Sequence, residues 1–295
     1  MISSWVIFTV FAAAMQAWRN AFQKQLSSTV DVYGVTLARF IFALPLAALY
    51  LWIMHQQQEP MIQNRFSTMY WVYIVIAALS QIFATIFMVM LFKQKNYAIG
   101  VGLAKSEAIL AAIIGVTLFS DHLSLWGWIG VAIGGIAVFF MSKGQQGSGI
   151  SFATLGIGLA SGLCFAITSL LVREASLELL PLTALYRAAW VLFCVIAIQC
   201  VVLLSYLALF KPHTLYAMWQ RVGLTLKVSL CSFCASLGWF SAMSMQSVAL
   251  VKTLGQIEIL FSLLISVYFF KEKLVKTDHV GLLLVVLAAI MVIWA

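Results

Sequence analysis

Residues 98–141, AIGVGLAKSEAILAAIIGVTLFSDHLSLWGWIGVAIGGIAVFFM, and residues 249–292, ALVKTLGQIEILFSLLISVYFFKEKLVKTDHVGLLLVVLAAIMV, read as one segment written twice. Shifted by 151 residues (249 − 98), they agree at Ala98/Ala249, Leu103/Leu254, Glu107/Glu258, Ile114/Ile265, Val116/Val267, Phe119/Phe270, Leu123/Leu274, Gly130/Gly281 and Ala137/Ala288. Apolar helices match readily by chance. The weight therefore rests on the paired glutamates, because an acid is rare and costly inside an apolar span. A near-identical offset, 148 (187 − 39), pairs Arg39 with Arg187. Self-similarity over so long a period marks a duplicated chain.

The rest of the sequence agrees with a membrane reading. Its 295 residues are 64% hydrophobic and 9% charged, with a mean hydropathy of +1.05. A soluble domain is about 45–50% apolar and about 25% charged. A chain this apolar cannot cover its own surface with polar groups, which excludes a soluble enzyme, a disordered protein and a nucleic-acid binder. The net charge of +8 comes from 17 Lys and Arg scattered at segment ends, so it makes no basic face.

A spanning helix needs about 20 mostly apolar residues. Ten runs fit: 5–26, 32–54, 69–92, 98–119, 123–143, 151–173, 181–209, 223–244, 249–270 and 277–294. The longest polar linker is HQQQEPMIQNRFST (55–68), and no stretch is left for a soluble domain. The runs lack the alternation of a transmembrane β-barrel. The first carries Arg19 and no small-residue cleavage site, so it reads as a retained helix. The expected fold is an all-α membrane protein of ten transmembrane helices in two five-helix repeats, residues 1–146 and 147–295.

An odd-numbered repeat re-enters the membrane from the opposite side, so the two repeats are expected to be inverted, as in many secondary transporters. Linkers after the odd-numbered helices, with their flanks, hold Lys24, Lys93, Lys95, Lys143, Lys211, Arg221, Lys227, Lys271, Lys273 and Lys276, whereas the other set holds Arg65 and Arg173. The positive-inside rule makes the first side cytoplasmic and puts both termini outside.

Several residues are costly in lipid and so carry functional hypotheses. Glu107 and Glu258 fall mid-span, where burial favours proton exchange; the structural alternative is an ion pair that only holds the bundle. Lys105, two residues before Glu107, would sit on another helix face, so the partner of Glu107 is expected from another helix. Gln16, Arg19, Asn20 and Gln23 recur at i, i+3, i+4 and i+7 and form one polar face. That face reads as a cavity wall, or alternatively as interhelical hydrogen-bond glue. Arg39 and Arg187 either snorkel to the interface or bind an anion, and Lys252 is equally ambiguous. Gln81 and Gln256 read as polar lining. Gly130-x-x-x-Gly134 and Gly158-x-x-x-Gly162 point to close packing within the bundle, and the five cysteines to apolar filler.

Catalytic signals are missing. The histidines and aspartates all lie in linkers or at helix ends, with no HExxH, GxSxG or P-loop. No enzyme activity, cofactor or metal is expected.

The two five-helix halves, Arg39 and Arg187 in each second helix, and the segments LFSDHLSLWGWIGVAIGGIAVFF (118–140) and FFKEKLVKTDHVGLLLVVLAAI (269–290) resemble the drug/metabolite transporter superfamily, in its ten-helix EamA-like branch. The resemblance covers essentially the whole chain. Members carry an acid after the fourth and ninth helices and then a glycine, which here are Asp121 with Gly130 and Glu272 with Gly281. Aspartate stands where glutamate is usual, and a proline often found in helices four and nine is absent. The resemblance implies a secondary transporter of small polar metabolites working by alternating access, with cytoplasmic termini, against the loop charges. The lining is expected from Gln16, Arg19, Asn20, Gln81, Lys105, Glu107, Gln256 and Glu258. In this reading the glutamates handle a proton or cationic group, and Arg19 and Lys105 hold a carboxylate or phosphate. Mixed charge points to an amino acid or related zwitterion, with nucleoside-like and quaternary-amine substrates as alternatives, exported with a proton as coupling ion. The expected setting is a bacterial inner membrane, as monomer or homodimer, with no nucleic-acid partner. The competing reading is a non-transporting membrane protein, either a receptor subunit or a lipid scramblase.

Overall fold

The computed structural model describes residues 3–57, 66–94, 104–119, 122–144, 152–180, 182–269, 271 and 276–293. Arg65, Lys95, Asp121, Glu272 and Lys273 lie outside them, so the loop charges and the acid-then-glycine motif rest on sequence alone. The regular elements among the described residues are all helices, with no strand among them.

The first half holds α1 (Ser4–Leu26), α2 (Val32–Leu37), α3 (Ala43–Gln56), α4 (Thr68–Gln94), α5 (Glu107–Leu118) and α6 (Leu125–Gly144). The second holds α7 (Phe152–Leu177), α8 (Ala184–Phe210), α9 (Pro212–Gln220), α10 (Val222–Met245), α11 (Val248–Leu254), α12 (Glu258–Tyr268) and α13 (Lys276–Ile293). Among the described residues five helices are long and apolar enough to cross a membrane: Thr68–Lys93, Phe152–Leu177, Ala184–Phe210, Val222–Met245 and the α11–α12 run Val248–Tyr268. The polar stripe of α1 lowers its hydropathy, and the second run is cut into pieces of 6 and 14 residues.

The tightest packing joins the halves: α1 on α10, α4 on α7, α3 on α8, and α6 on α13. Exchanging the halves maps this pairing onto itself. The α1–α10 crossing (first run on eighth) becomes α7–α4 (sixth on third), while the other two pairs map onto themselves. Close approach at these crossings depends on small residues. A Cβ on Gly238 of α10 would meet Ala12 Cβ and the Phe8 carbonyl oxygen of α1, each at 2.8 Å. A Cβ on Gly130 would meet Val292 of α13 at 2.7 Å, so this glycine of the first GxxxG motif serves packing within the chain.

Among the described residues three runs are broken. Between α2 and α3 the Ser229 hydroxyl of α10 enters the helical ladder. It donates to the Ala38 carbonyl at 2.6 Å and accepts from the Phe42 amide at 3.2 Å, replacing the direct i to i−4 bond between those residues. Pro45, which has no N–H to offer the Ile41 carbonyl, weakens the same turn. In the ninth run a 3-10 turn, Gly255–Ile257, separates α11 from α12, with Gly255 lying against the Trp239 ring. In the fourth run a turn at Lys105 and Ser106 precedes α5. The last two breaks fall at the same repeat position, so both glutamates open a helix after an interruption. Irregular backbone at membrane depth persists where it is buried in protein or lines a cavity. Removing the wedge with Ser229→Ala should leave the Phe42 amide or the Ala38 carbonyl unsatisfied, costing about 1–3 kcal/mol. Thermal melting in detergent reads this as a lower midpoint; an unchanged midpoint would mean the ladder closes without the hydroxyl.

The ends of the bundle are also tied across the halves. At one end Lys211 Nζ lies 2.7 Å from Asp31 Oδ2 and 4.5 Å from the centre of the Tyr33 ring. At the other, Ser67 Oγ donates to Glu178 Oε2 at 2.6 Å, and His55 Nδ1 shares a 2.7 Å hydrogen bond with Tyr186 OH. Burial alone would raise the Asp31 carboxyl, but hydrogen bonds from Lys211 and the Val32 amide hold it below its ordinary 3.8. The hydrogen bond to Asp31 holds Lys211 above its ordinary 10.5, against the opposing pull of burial. The Asp31 contribution is complete above the unfolded carboxyl value and lost as pH falls through the lowered one. The Lys211 contribution is complete below the unfolded amine value and lost as pH rises through the raised one. The melting difference between wild type and Asp31→Asn should therefore be flat from about pH 5 to about pH 9 and shrink outside that window. Being partly exposed, the pair has a small effect that salt weakens further. A difference that changed steadily across the window would assign the effect to another group.

The short helix α9 was not foreseen in the sequence. It starts with Pro212 at its first position, where a missing N–H is harmless. It buries Thr214 and Met218 while exposing Tyr216 and Trp219.

Candidate functional site

The interrupted runs meet at the centre of the bundle. The polar face of α1 supplies Gln16, Arg19 and Asn20, the gap between α2 and α3 supplies Arg39, and α4 supplies Gln81. The turn before α5 brings Lys105 beside Glu107, α11 brings Lys252, and α12 opens with Glu258. Thr168 and Ser169 of α7 and Ser236, Trp239 and Phe240 of α10 complete much of the wall. The side chains close on one another and leave a cavity of about 30 Å³, room for about two waters.

Glu258 is fully buried and lies at the hub. It accepts from Gln16 Nε2 at 2.6 Å and Asn20 Nδ2 at 2.8 Å, and it pairs with Lys105. Gln16 is oriented by Trp239, whose Nε1 donates to Gln16 Oε1 at 2.8 Å. Arg19 donates through Nε and a terminal nitrogen to Asn20 Oδ1, at 3.2 and 2.8 Å. Glu107 lies 3.5 Å from Lys252 Nζ, and that ammonium stands 4.6 Å from the centre of the Trp239 ring. The pairing is reciprocal: each half presents a glutamate to a lysine of the other. Among the described residues, four cationic side chains and two carboxylates thus line one small volume.

Seven of the eight residues expected in the lining surround this cavity. Gln256 does not. The 3-10 turn swings its amide against Gly134 of α6, and its side-chain atoms are buried without a hydrogen-bond partner. Repeat register gives a residue its depth, but at a 3-10 turn it does not give the direction of the side chain. Gln23, the last residue of the polar face, is buried away from the cavity wall. Lys105 and Glu107, expected on different faces, have Nζ and Oε1 3.9 Å apart. The helical-face argument fails because residues 105–106 form a turn. The other partner of Glu107, Lys252, does come from another helix.

The repeated arginines separate. Arg39 does not snorkel. It is buried, bonds Thr85, lies 5.1 Å from the centre of the Phe40 ring and lines the cavity. Arg187 is buried as well, but it donates to the Ser244 carbonyl at 2.9 Å. Arg173 donates to the carbonyls of Met243 and Gln246 at 2.9 and 2.6 Å. Together they satisfy the last carbonyls of α10. Lys252 and Arg39 were left out of the expected lining set, and the signal for both was their charge inside an apolar run. Cys231 and Cys234 are free thiols, half-buried in α10.

Comparison with known proteins follows the same division. No curated protein matches the sequence significantly. A solved crystal structure superposes with a TM-score of 0.71 over 99% of this chain and 99% of that one, at 16% sequence identity, which shows a shared fold alone. The EamA-like transporter family matches twice, over residues 3–143 and again over 152–294. This duplicated membrane protein belongs to the EamA-like transporter family.

Proposed function

We propose that the chain is a secondary transporter that moves small polar, anion-bearing metabolites across a bacterial inner membrane by alternating access. Its ten runs form two inverted five-helix repeats that rock around the central cavity, and outward movement is exchanged for protons through Glu107 and Glu258. The observation that carries this reading is the reciprocal pairing of Glu258 with Lys105 and of Glu107 with Lys252 across the two halves. A site built jointly by two repeats from interrupted helices suits a carrier, because it can open to either side as the halves move. The narrow cavity supports an occluded arrangement, in which these pairs must loosen before a metabolite can enter. An amino acid or related zwitterion fits this reading, with its carboxylate toward the arginines and lysines of the wall.

Reconstitution in liposomes tests the proposal. Labelled organic anions, amino acids, amines and nucleosides are presented with and without an imposed pH gradient. Accumulation of one class that depends on the gradient is expected. Equilibration without accumulation would remove the proton from the mechanism, and no flux of any solute would sink the transporter reading.

A further inference from the structure

Arg39 differs from the lysines of the cavity in what it faces. Lys105 and Lys252 pair with Glu258 and Glu107, whereas among the described residues no carboxylate pairs with Arg39. Its contacts there are the Thr85 hydroxyl and the Phe40 ring. Thr85 donates its own hydrogen to the Gln81 carbonyl oxygen at 2.8 Å, so toward Arg39 it acts only as an acceptor. A guanidinium carries five N–H groups, and Thr85 accepts one. Arg39 Nε is buried without a hydrogen-bond partner, in a side chain that lines the cavity and is only 1% exposed. Buried donors of a charged group are costly when left unmatched. Gln81 lies one turn before Thr85 on α4 and lines the same cavity; residues four apart share a helix face. Gln199 of α8 donates to Gln81 Oε1 at 2.7 Å and to the Ala78 carbonyl at 3.3 Å. With its oxygen engaged, Gln81 has its NH2 group to offer.

Resting on the transporter reading, we propose that Arg39 is the anion-holding group of the cavity, gripping a carboxylate of the transported solute with the Gln81 amide as second donor. The planar fork of a guanidinium matches the two oxygens of a carboxylate. One guanidinium and one neutral amide suit the single charge of a carboxylate better than the double charge of a phosphate. Thr85 and Gln199 act one step back, fixing the directions in which Arg39 and Gln81 donate. Lys105 and Lys252 stay with the two glutamates. A solute is then selected by its carboxylate, and its neutral amide, of nearly the same shape, is refused.

Small probes test this without knowledge of the full substrate. Purified full-length protein is melted in detergent with acetate, acetamide, inorganic phosphate or chloride at matched ionic strength. Acetate should raise the melting temperature at concentrations about tenfold below those at which chloride acts, because only the carboxylate matches the fork, and acetamide should have no effect. Arg39→Gln should remove the acetate response, and Arg39→Lys should keep part of it. Gln81→Glu is the second variant: it still accepts from Gln199 and gives Arg39 a carboxylate from within the chain. Its melting temperature should rise, and its acetate response should vanish. Acetate acting no better than acetamide or chloride, or phosphate acting below acetate, overturns the inference. So does an acetate response that survives either Arg39→Gln or Gln81→Glu, or a lower melting temperature in Gln81→Glu. Counterflow of labelled solutes in liposomes separates the two readings. Acetate binding without flux of any solute would sink the carrier and keep the anion site, whereas flux of amines or nucleosides alone would keep the carrier and overturn the site.

Discussion

Glu258→Gln is expected to lower the initial rate of transport by about 100-fold or more and to lower the melting temperature. The carboxylate is fully buried and faces an ammonium and two amide donors, so glutamine fails it twice. It removes the nearer counterion of Lys105 and leaves the 3.9 Å contact to Glu107, and removing one partner of a buried pair costs about 3–5 kcal/mol. It also turns one acceptor oxygen into an NH2 group aimed at Gln16 Nε2 or Asn20 Nδ2, each a donor at 2.6–2.8 Å in the wild type. Glu107→Gln is expected to do less, because its lysine contacts are longer, at 3.5 and 3.9 Å. Rates of labelled-substrate counterflow in liposomes, normalised to inserted protein, measure both. Equal effects of the two substitutions would show that Glu258 is no hub, and wild-type rates in Glu258→Gln would remove it from the mechanism.

Gly162→Val carries the second largest expected effect, although it adds no charge and removes no hydrogen bond. A Cβ at this position of α7 overlaps the Ser106 hydroxyl and approaches the Glu107 amide nitrogen at 3.2 Å and the Ala104 carbonyl at 3.3 Å. The last two are backbone atoms in the turn that presents Lys105 and Glu107 to the cavity. They cannot rotate away, so the turn must shift. Overpacking of this kind costs about 1–3 kcal/mol, and a displacement near 1 Å at a working site can cost about 100-fold in rate. Transport should fall at least tenfold while the protein still inserts. Gly156→Val on the same helix is the control, since nothing lies within 4 Å of its added Cβ. Similar losses in both variants would mean that valine harms α7 itself, and that the turn is not the sensitive element.

Much of this site was legible in the sequence because lipid makes polar residues conspicuous. Gln16, Arg19 and Asn20 share a helical face, and that periodicity survives folding because α1 is regular through them. Glu107 and Glu258 stood out by rarity and repetition together. Where the backbone leaves the helix, legibility stopped. The proximity of Lys105 to Glu107 and the turning aside of Gln256 both follow from local breaks that apolar periodicity does not record. Arg39 was ambiguous for a longer-range reason. The wedge that opens its helix is Ser229, far along the chain, and no local pattern connects the two. The helix α9 escaped because nine residues are too few to span a membrane and look like linker.

The ties at the two ends of the bundle differ in chemistry, so the ends would respond differently to ionic strength. Lys211 and Asp31 hold one end through an ion pair whose side chains are each 32% exposed, and salt screens such a pair. Ser67 with Glu178 and His55 with Tyr186 hold the other end through hydrogen bonds in which a hydroxyl takes part, and salt screens these less. Rising salt would therefore slacken one mouth of the bundle ahead of the other.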